Sequence, residues 1–120
     1  MKKLLMSFKY AFEGIFYLIK TQQNAKIHFF AALFAIGLGW WLKISNIECV
    51  IIALSIGLVF AFESINTAIE VLCDLYHPDF HPKIKIIKDL SASAVLIVTG
   101  AAIICGLFIF LPKLVQLQMF

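Results

Sequence analysis

Three stretches of this 120-residue chain run without a charged side chain, and they decide what it can fold into. Phe29–Leu42 and Cys49–Phe62 are uncharged, and Leu90–Leu111 extends 22 residues without an ionisable acid or lysine. About 20 apolar residues in a helix cross the hydrocarbon of a bilayer. Inside lipid the backbone must satisfy its own polar groups, which an α-helix does within one segment. With 62% hydrophobic residues and a mean hydropathy of +0.98, the chain has more apolar surface than a soluble domain of this size can hide. The expected fold is an all-α membrane protein, a single domain over residues 1–120 with no repeat or linker to divide it. Crossings are expected at about 25–44, 47–76 (its last turns projecting beyond the membrane) and 89–111. Lys43–Glu48 forms a short turn, the His77-Pro78 and His81-Pro82 pairs end the second crossing, and Pro112-Lys113 closes the third.

Residues of about 4–22 precede the first crossing and read as an amphipathic helix. Phe8, Phe12, Ile15, Phe16 and Ile19 recur at helical spacing, with Lys9, Glu13 and Lys20 on other faces. A Phe-rich face flanked by lysines suits a helix lying in the membrane interface; an ordinary helix packed on a partner is the alternative. Met1-Lys2-Lys3-Leu4-Leu5-Met6 has the outline of a signal peptide, but Lys9 and Glu13 break the apolar run and no small-residue cleavage site follows, so the segment is expected to be retained. Cys49, Cys73 and Cys105 are far apart in apolar sequence, match no zinc spacing and read as small buried hydrophobes.

Ten lysines, no arginine and seven acids give a net charge of +3. The lysines gather at segment ends, which points to membrane topology rather than nucleic-acid binding. Lys2, Lys3, Lys9, Lys20 and Lys26 precede the first crossing, and Lys83, Lys85 and Lys88 lie between the second and third. The positive-inside rule places the N-terminus and the 74–89 loop in the cytoplasm. The lack of arginine counts against phosphatase-type sites, which commonly clamp phosphate with a guanidinium.

The chemistry concentrates at the inner end of the second crossing. At about 100° per residue, Glu63, Asn66, Glu70 and Asp74 fall within an arc of about 80°. Ionisable groups near a bilayer are expensive and usually functional. Carboxylates at this boundary can hold Mg²⁺ together with nucleotide phosphates, and can accept a proton from an attacking hydroxyl. Phosphoryl transfer needs both, with a cation to offset charge on the moving group; Lys88, beside Asp89, can supply it. Spacing alone also allows a solvated stripe, or one paired with lysines of neighbouring subunits. An ion or proton pathway would need carboxylates deep in the crossings, whereas these cluster at one end.

Glu63-x-x-Asn66-Thr67-Ala68-Ile69-Glu70-x-x-x-Asp74, followed by His81-Pro82-x-x-Lys85-x-x-Lys88-Asp89-x-x-x-x-Ala94-Val95-Leu96, resembles the prokaryotic diacylglycerol kinase family, which includes undecaprenol kinases. The resemblance covers nearly the whole chain. It implies a homotrimeric lipid kinase with shared active sites, using ATP and Mg²⁺ on a membrane lipid. By resemblance, Glu63 is the general base and Glu70 a Mg²⁺ ligand, while Asn66 and Asp74 order the site. Lys88, Asp89, Tyr10 and His81 fall where the family meets the nucleotide, with Gly14 and Lys85 as supporting positions. Thr21-Gln22-Gln23-Asn24-Ala25-Lys26-Ile27-His28 resembles the family's Glu-x-Asn-x-(Arg/Lys)-Ile-His, but Gln22 stands where the family has a second metal-binding glutamate. An amide oxygen can still coordinate Mg²⁺ without bringing charge. Three readings follow: weaker metal binding, compensation by another carboxylate such as Asp74, or a non-catalytic scaffold or interaction protein of the same fold. Small residues after Lys88-Asp89, with Ala92 where diacylglycerol-specific members have serine, lean towards undecaprenol; the same residues also allow close helix packing.

Overall fold

The computed structural model describes residues 1–119. Four helices account for nearly all of it: α1 (Lys2–Thr21), α2 (Gln23–Leu42), α3 (Asn46–Tyr76) and α4 (Pro82–Gln118). The last three are each long and apolar enough to cross a membrane. α3 and α4 form the principal antiparallel pair, with α2 against both and α1 packed on α2 and α3.

Local sequence explains each junction. One residue, Gln22, separates α1 from α2; its extended backbone (φ −104°, ψ 120°) turns the chain without a loop. Beside this elbow Leu18 and Ala25 are buried. α2 ends in a Schellman motif. Lys43 takes a left-handed conformation (φ 54°), its N–H donates to the Trp40 carbonyl, and the Ile44 N–H donates to the Gly39 carbonyl. The Ile44 side chain lies so close over Gly39 that a Cβ there would meet its Cδ1 at 2.9 Å. α3 starts two residues later with a capping box: the Glu48 N–H donates to Ser45 Oγ, and the Ser45 N–H donates to Glu48 Oε1. α4 starts on Pro82, whose missing N–H is no loss at a first helical position, and His81 Nδ1 accepts the Lys83 N–H.

Three expectations need correction. Of the cysteines read as buried, only Cys73 is; Cys49 is exposed and Cys105 half-buried, on faces of α3 and α4 that the bundle does not cover. The 74–89 segment is not a loop: only residues 77–81 leave helix, and Lys83, Lys85, Lys88 and Asp89 stand on the first turns of α4. Their charge marked a polar segment, but Pro82 at the helix start allows that segment to be helical. Pro112, expected to close the last crossing, instead lies inside α4. Its ring removes one helical hydrogen bond, yet the helix continues past it, and the next residue is anchored: Lys113 Nζ lies 3.0 Å from Glu48 Oε2. That ion pair pins the end of α4 to the start of α3.

Ile52, Ile109 and Phe110 form the buried core, supported by Leu38, Leu42 and Ile44. Most other large apolar side chains face outwards, including Phe34, Leu96 and Phe108. For a chain in lipid such exposure carries no aqueous penalty, and helix association rests on packing and polar contacts.

The left-handed Lys43 generates a test. Lys43→Gly removes the penalty an L side chain suffers there, so stability should rise by about 1 kcal/mol. Thermal unfolding in detergent checks this; an unchanged or lower midpoint would contradict the motif.

Candidate active site at the Glu63 end of the bundle

Ile52, Val59 and Glu63 lie within about 40° of one another on α3. All three are buried, so the polar stripe begins as a continuation of the apolar seam that packs α3 into the bundle. Glu63 is only 2% exposed, which removes the solvated reading for this residue. Its Oε1 faces His28 Nε2 of α2 at 3.9 Å. One turn on, Asn66 Oδ1 accepts a hydrogen bond from Ser91 Oγ of α4 at 2.8 Å.

These groups open onto a cavity of about 300 Å³. Glu63 and Asn66 look across it at Asn24 and His28, and Ala92, Val95 and Leu96 of α4 form an apolar wall. Thr99 closes the far end; its buried hydroxyl has no hydrogen-bond partner among the described residues. The chemistry of the cavity is therefore one carboxylate, one imidazole, two amides (Asn66 held by Ser91) and one hydroxyl against an apolar wall.

The rest of the stripe forms a separate charged patch. Lys88 Nζ donates to Asp74 Oδ1 at 2.5 Å, and Glu70 also lies within electrostatic reach of Lys88. Glu70 itself makes no ion pair among the described residues. Lys85 and Asp89 pair at 2.6 Å along the exposed face of α4. Such a surface pair contributes little to stability and leaves both groups accessible.

Other candidates lie apart within one chain. Tyr10 is exposed on α1. Gly14 lines a different cavity, of about 570 Å³, between α1 and α3, where it faces Thr67 and Val71; a Cβ at Gly14 would touch nothing within 4 Å. The Gln22 amide reaches only Thr21 Oγ1, at 3.5 Å. His81 caps α4 and meets the His77 ring edge-on with centroids 5.2 Å apart. Among the described residues no three acidic, histidine or cysteine side chains converge as a metal site.

Sequence reading missed roles for two residues that line the cavity, His28 and Thr99, and for Ser91, which holds Asn66. His28 sits in the motif around Gln22, and its spacing to Asn24 (i, i+4) would place both on one face. Ser91 looked like one of several small residues. Thr99 carries no local signal at all, because only the packing of α4 brings it to the Glu63 cavity.

The Ser91 contact is testable. Ser91→Ala leaves the Asn66 amide free to rotate, at a cost of about 1 kcal/mol. We expect a several-fold loss of activity with the helical fold intact by circular dichroism; full activity would show that Asn66 needs no such orientation.

Comparison with known proteins places the chain in a family. Residues 9–110 match the family model for prokaryotic diacylglycerol kinase. The chain is 40% identical over 114 residues to the undecaprenol kinase of Bacillus subtilis (strain 168), covering 95% of this chain and 93% of that one. It is 39% identical over 116 residues to a diacylglycerol kinase of Synechocystis, covering 96% of this chain and 66% of the relative. A diacylglycerol kinase of Escherichia coli (strain K12) is 34% identical over 74 residues, 62% of this chain and 61% of that one. With its helices, its buried glutamate and its charged patch in the order the motifs require, the chain belongs to the prokaryotic diacylglycerol kinase family, a family of lipid kinases.

Proposed function

We propose that this protein transfers the γ-phosphoryl group of ATP to the hydroxyl of a membrane lipid, and that Glu63 is the general base. The observation that carries the reading is a buried carboxylate opening onto an apolar-walled cavity. A lipid alcohol needs that pairing: hydrocarbon contacts for its chain and one proton acceptor for its hydroxyl. A glutamate in such surroundings can accept a proton as the oxygen attacks phosphorus. The acceptor is already concentrated in the bilayer, and alignment supplies much of the rate.

The charged patch supports the nucleotide side of the reaction. Lys88 and Asp89, with Tyr10 and His81, are the residues we assign to ATP, and Asp74 orders Lys88 through their hydrogen bond. Lys85 supports Asp89 in the same way, and Gly14 leaves room along α1. Mg²⁺ fits the donor chemistry: Glu70 is a carboxylate without an ion pair, Gln22 adds a neutral amide oxygen, and the metal ordinarily takes its remaining ligands from phosphates and water. When bound, Mg²⁺ would offset charge on the transferring phosphoryl group. The sparse protein donor set is consistent with a site completed by the nucleotide and by neighbouring subunits of a homotrimer. Within that assembly α1 would lie in the membrane interface, with the N-terminus and the 77–81 connection on the cytoplasmic side of a bacterial inner membrane.

Between the two acceptors named for relatives, the cavity favours a polyprenol. Diacylglycerol carries two ester groups close to its hydroxyl, and the α4 wall offers them apolar side chains, with Ala92 where a serine would give a donor. Undecaprenol carries hydrocarbon directly behind its hydroxyl and suits that wall. Gln22 supports a second reading, a non-catalytic member of the same fold, because it removes a charge from the metal site.

One assay separates these readings. Purified protein in detergent with γ-labelled ATP and Mg²⁺ should label undecaprenol faster than diacylglycerol, and Glu63→Gln should lower turnover by about 10²- to 10⁴-fold. No labelled product with either lipid, from a folded protein at high Mg²⁺, would favour the non-catalytic reading. Gln22→Glu should lower the Mg²⁺ concentration for half-maximal activity; an unchanged titration would remove Gln22 from the metal site.

A further inference from the structure

We infer that His28 binds the acceptor lipid's hydroxyl and orients it between the imidazole and the Glu63 carboxylate. The inference rests on the reading of Glu63 as the base. Its starting point is a separation: His28 Nε2 and Glu63 Oε1 are 3.9 Å apart. That is too long for a direct hydrogen bond. One bridging oxygen can enter the gap: at about 2.8 Å from each atom it sees them about 90° apart, and a small widening brings that angle to the near-tetrahedral arrangement a hydroxyl prefers.

The surroundings favour this use of the gap. The Glu63 side chain is 3% exposed and the His28 side chain 18%, so bulk water does not solvate the pair freely. Both line the same cavity, with room for a ligand between them and the α4 wall. On the same helix Asn66 has its oxygen engaged by Ser91. Among the described residues nothing hydrogen-bonds the Glu63 carboxylate, and the His28 imidazole faces it at 3.9 Å, so His28 is placed to complete a hydroxyl site. His28 lies at the start of α2, one turn beyond Asn24 and close to the buried Ala25 elbow, so its backbone is held by the packing of α1 on α2.

The step balances as follows. The His28 Nε2–H donates to the hydroxyl oxygen and keeps its proton throughout. The O–H bond breaks and its proton passes to Glu63. A remaining lone pair of that oxygen forms the bond to the γ-phosphorus, and the bond from phosphorus to the ADP oxygen breaks with ADP as the leaving group. The imidazole thus fixes which lone pair faces the phosphorus, and it stays hydrogen-bonded to the same oxygen in the product ester.

Three variants test this: His28→Ala, His28→Gln and Glu63→Gln, each measured for kcat, for KM of undecaprenol and for KM of ATP. His28→Ala should lower kcat/KM for the lipid about 10- to 100-fold, the loss of one or two good hydrogen bonds, and leave the KM of ATP unchanged. His28→Gln keeps an N–H donor at similar reach and should recover a large part of that loss. Wild-type kinetics in both His28 variants, with Glu63→Gln inactive, would overturn the inference and leave the base intact. Equal loss in Ala and Gln variants, with a raised ATP KM or a lowered unfolding midpoint, would overturn it in favour of a packing role. An active Glu63→Gln would instead remove the reading on which the inference stands.

Discussion

A carboxylate is buried where the apolar seam of α3 meets the end of the bundle, and the rest of the site is arranged around that burial. Glu63 follows Ile52 and Val59 on one helix face, so the packing that holds α3 against its neighbours also takes this carboxylate out of water. Isolated, such a group is costly. Here an imidazole and a cavity open to a ligand lie against it. The same placement that makes Glu63 expensive suits the role of general base that we propose for it.

In the proposed reading the architecture separates two tasks along one helix. The Glu63–Asn66 part of α3 faces α2 and the apolar wall of α4, where a lipid fits. The Glu70–Asp74 part faces Lys88, where phosphate charge can be met. Seven residues, about two turns or 10 Å, separate Glu63 from Glu70. A hydroxyl at one level and a nucleotide at the other can therefore meet between them. The remaining fold serves this alignment. The Glu48–Lys113 pair and the Schellman and capping-box turn fasten the far end of the bundle, so the α3–α4 register that sets Asn66 against Ser91 is fixed from both ends.

Much of this was legible in the residues. Uncharged runs of helix-spanning length announced three crossings because lipid permits few alternatives for a backbone. The stripe was legible because Glu63, Asn66, Glu70 and Asp74 keep helical period. What was not legible depended on tertiary contact or on competing local signals. Charge in residues 83–89 read as a loop, whereas Pro82 at a first helical position and the His81 cap make that segment helix. Pro112 read as a stop, whereas α4 runs on through it, with the adjacent Lys113 paired to a glutamate 65 residues earlier in sequence. Ser91 and Thr99 are ordinary small polar residues in the chain; only the rotation of α4 turns one towards Asn66 and the other towards the cavity. His28 belonged to a motif, but nothing in its spacing says that its ring reaches a glutamate on another helix.

The central claim is that the Glu63 cavity receives the lipid hydroxyl. An experimental structure with Mg²⁺, a non-hydrolysable ATP analogue and undecaprenol tests it most directly. The account predicts the lipid oxygen within hydrogen-bonding distance, about 3 Å, of the Glu63 carboxylate, with its hydrocarbon along Val95 and Leu96. A lipid headgroup seated elsewhere, such as in the α1–α3 cavity beside Gly14, with the Glu63 cavity left to solvent, would contradict it.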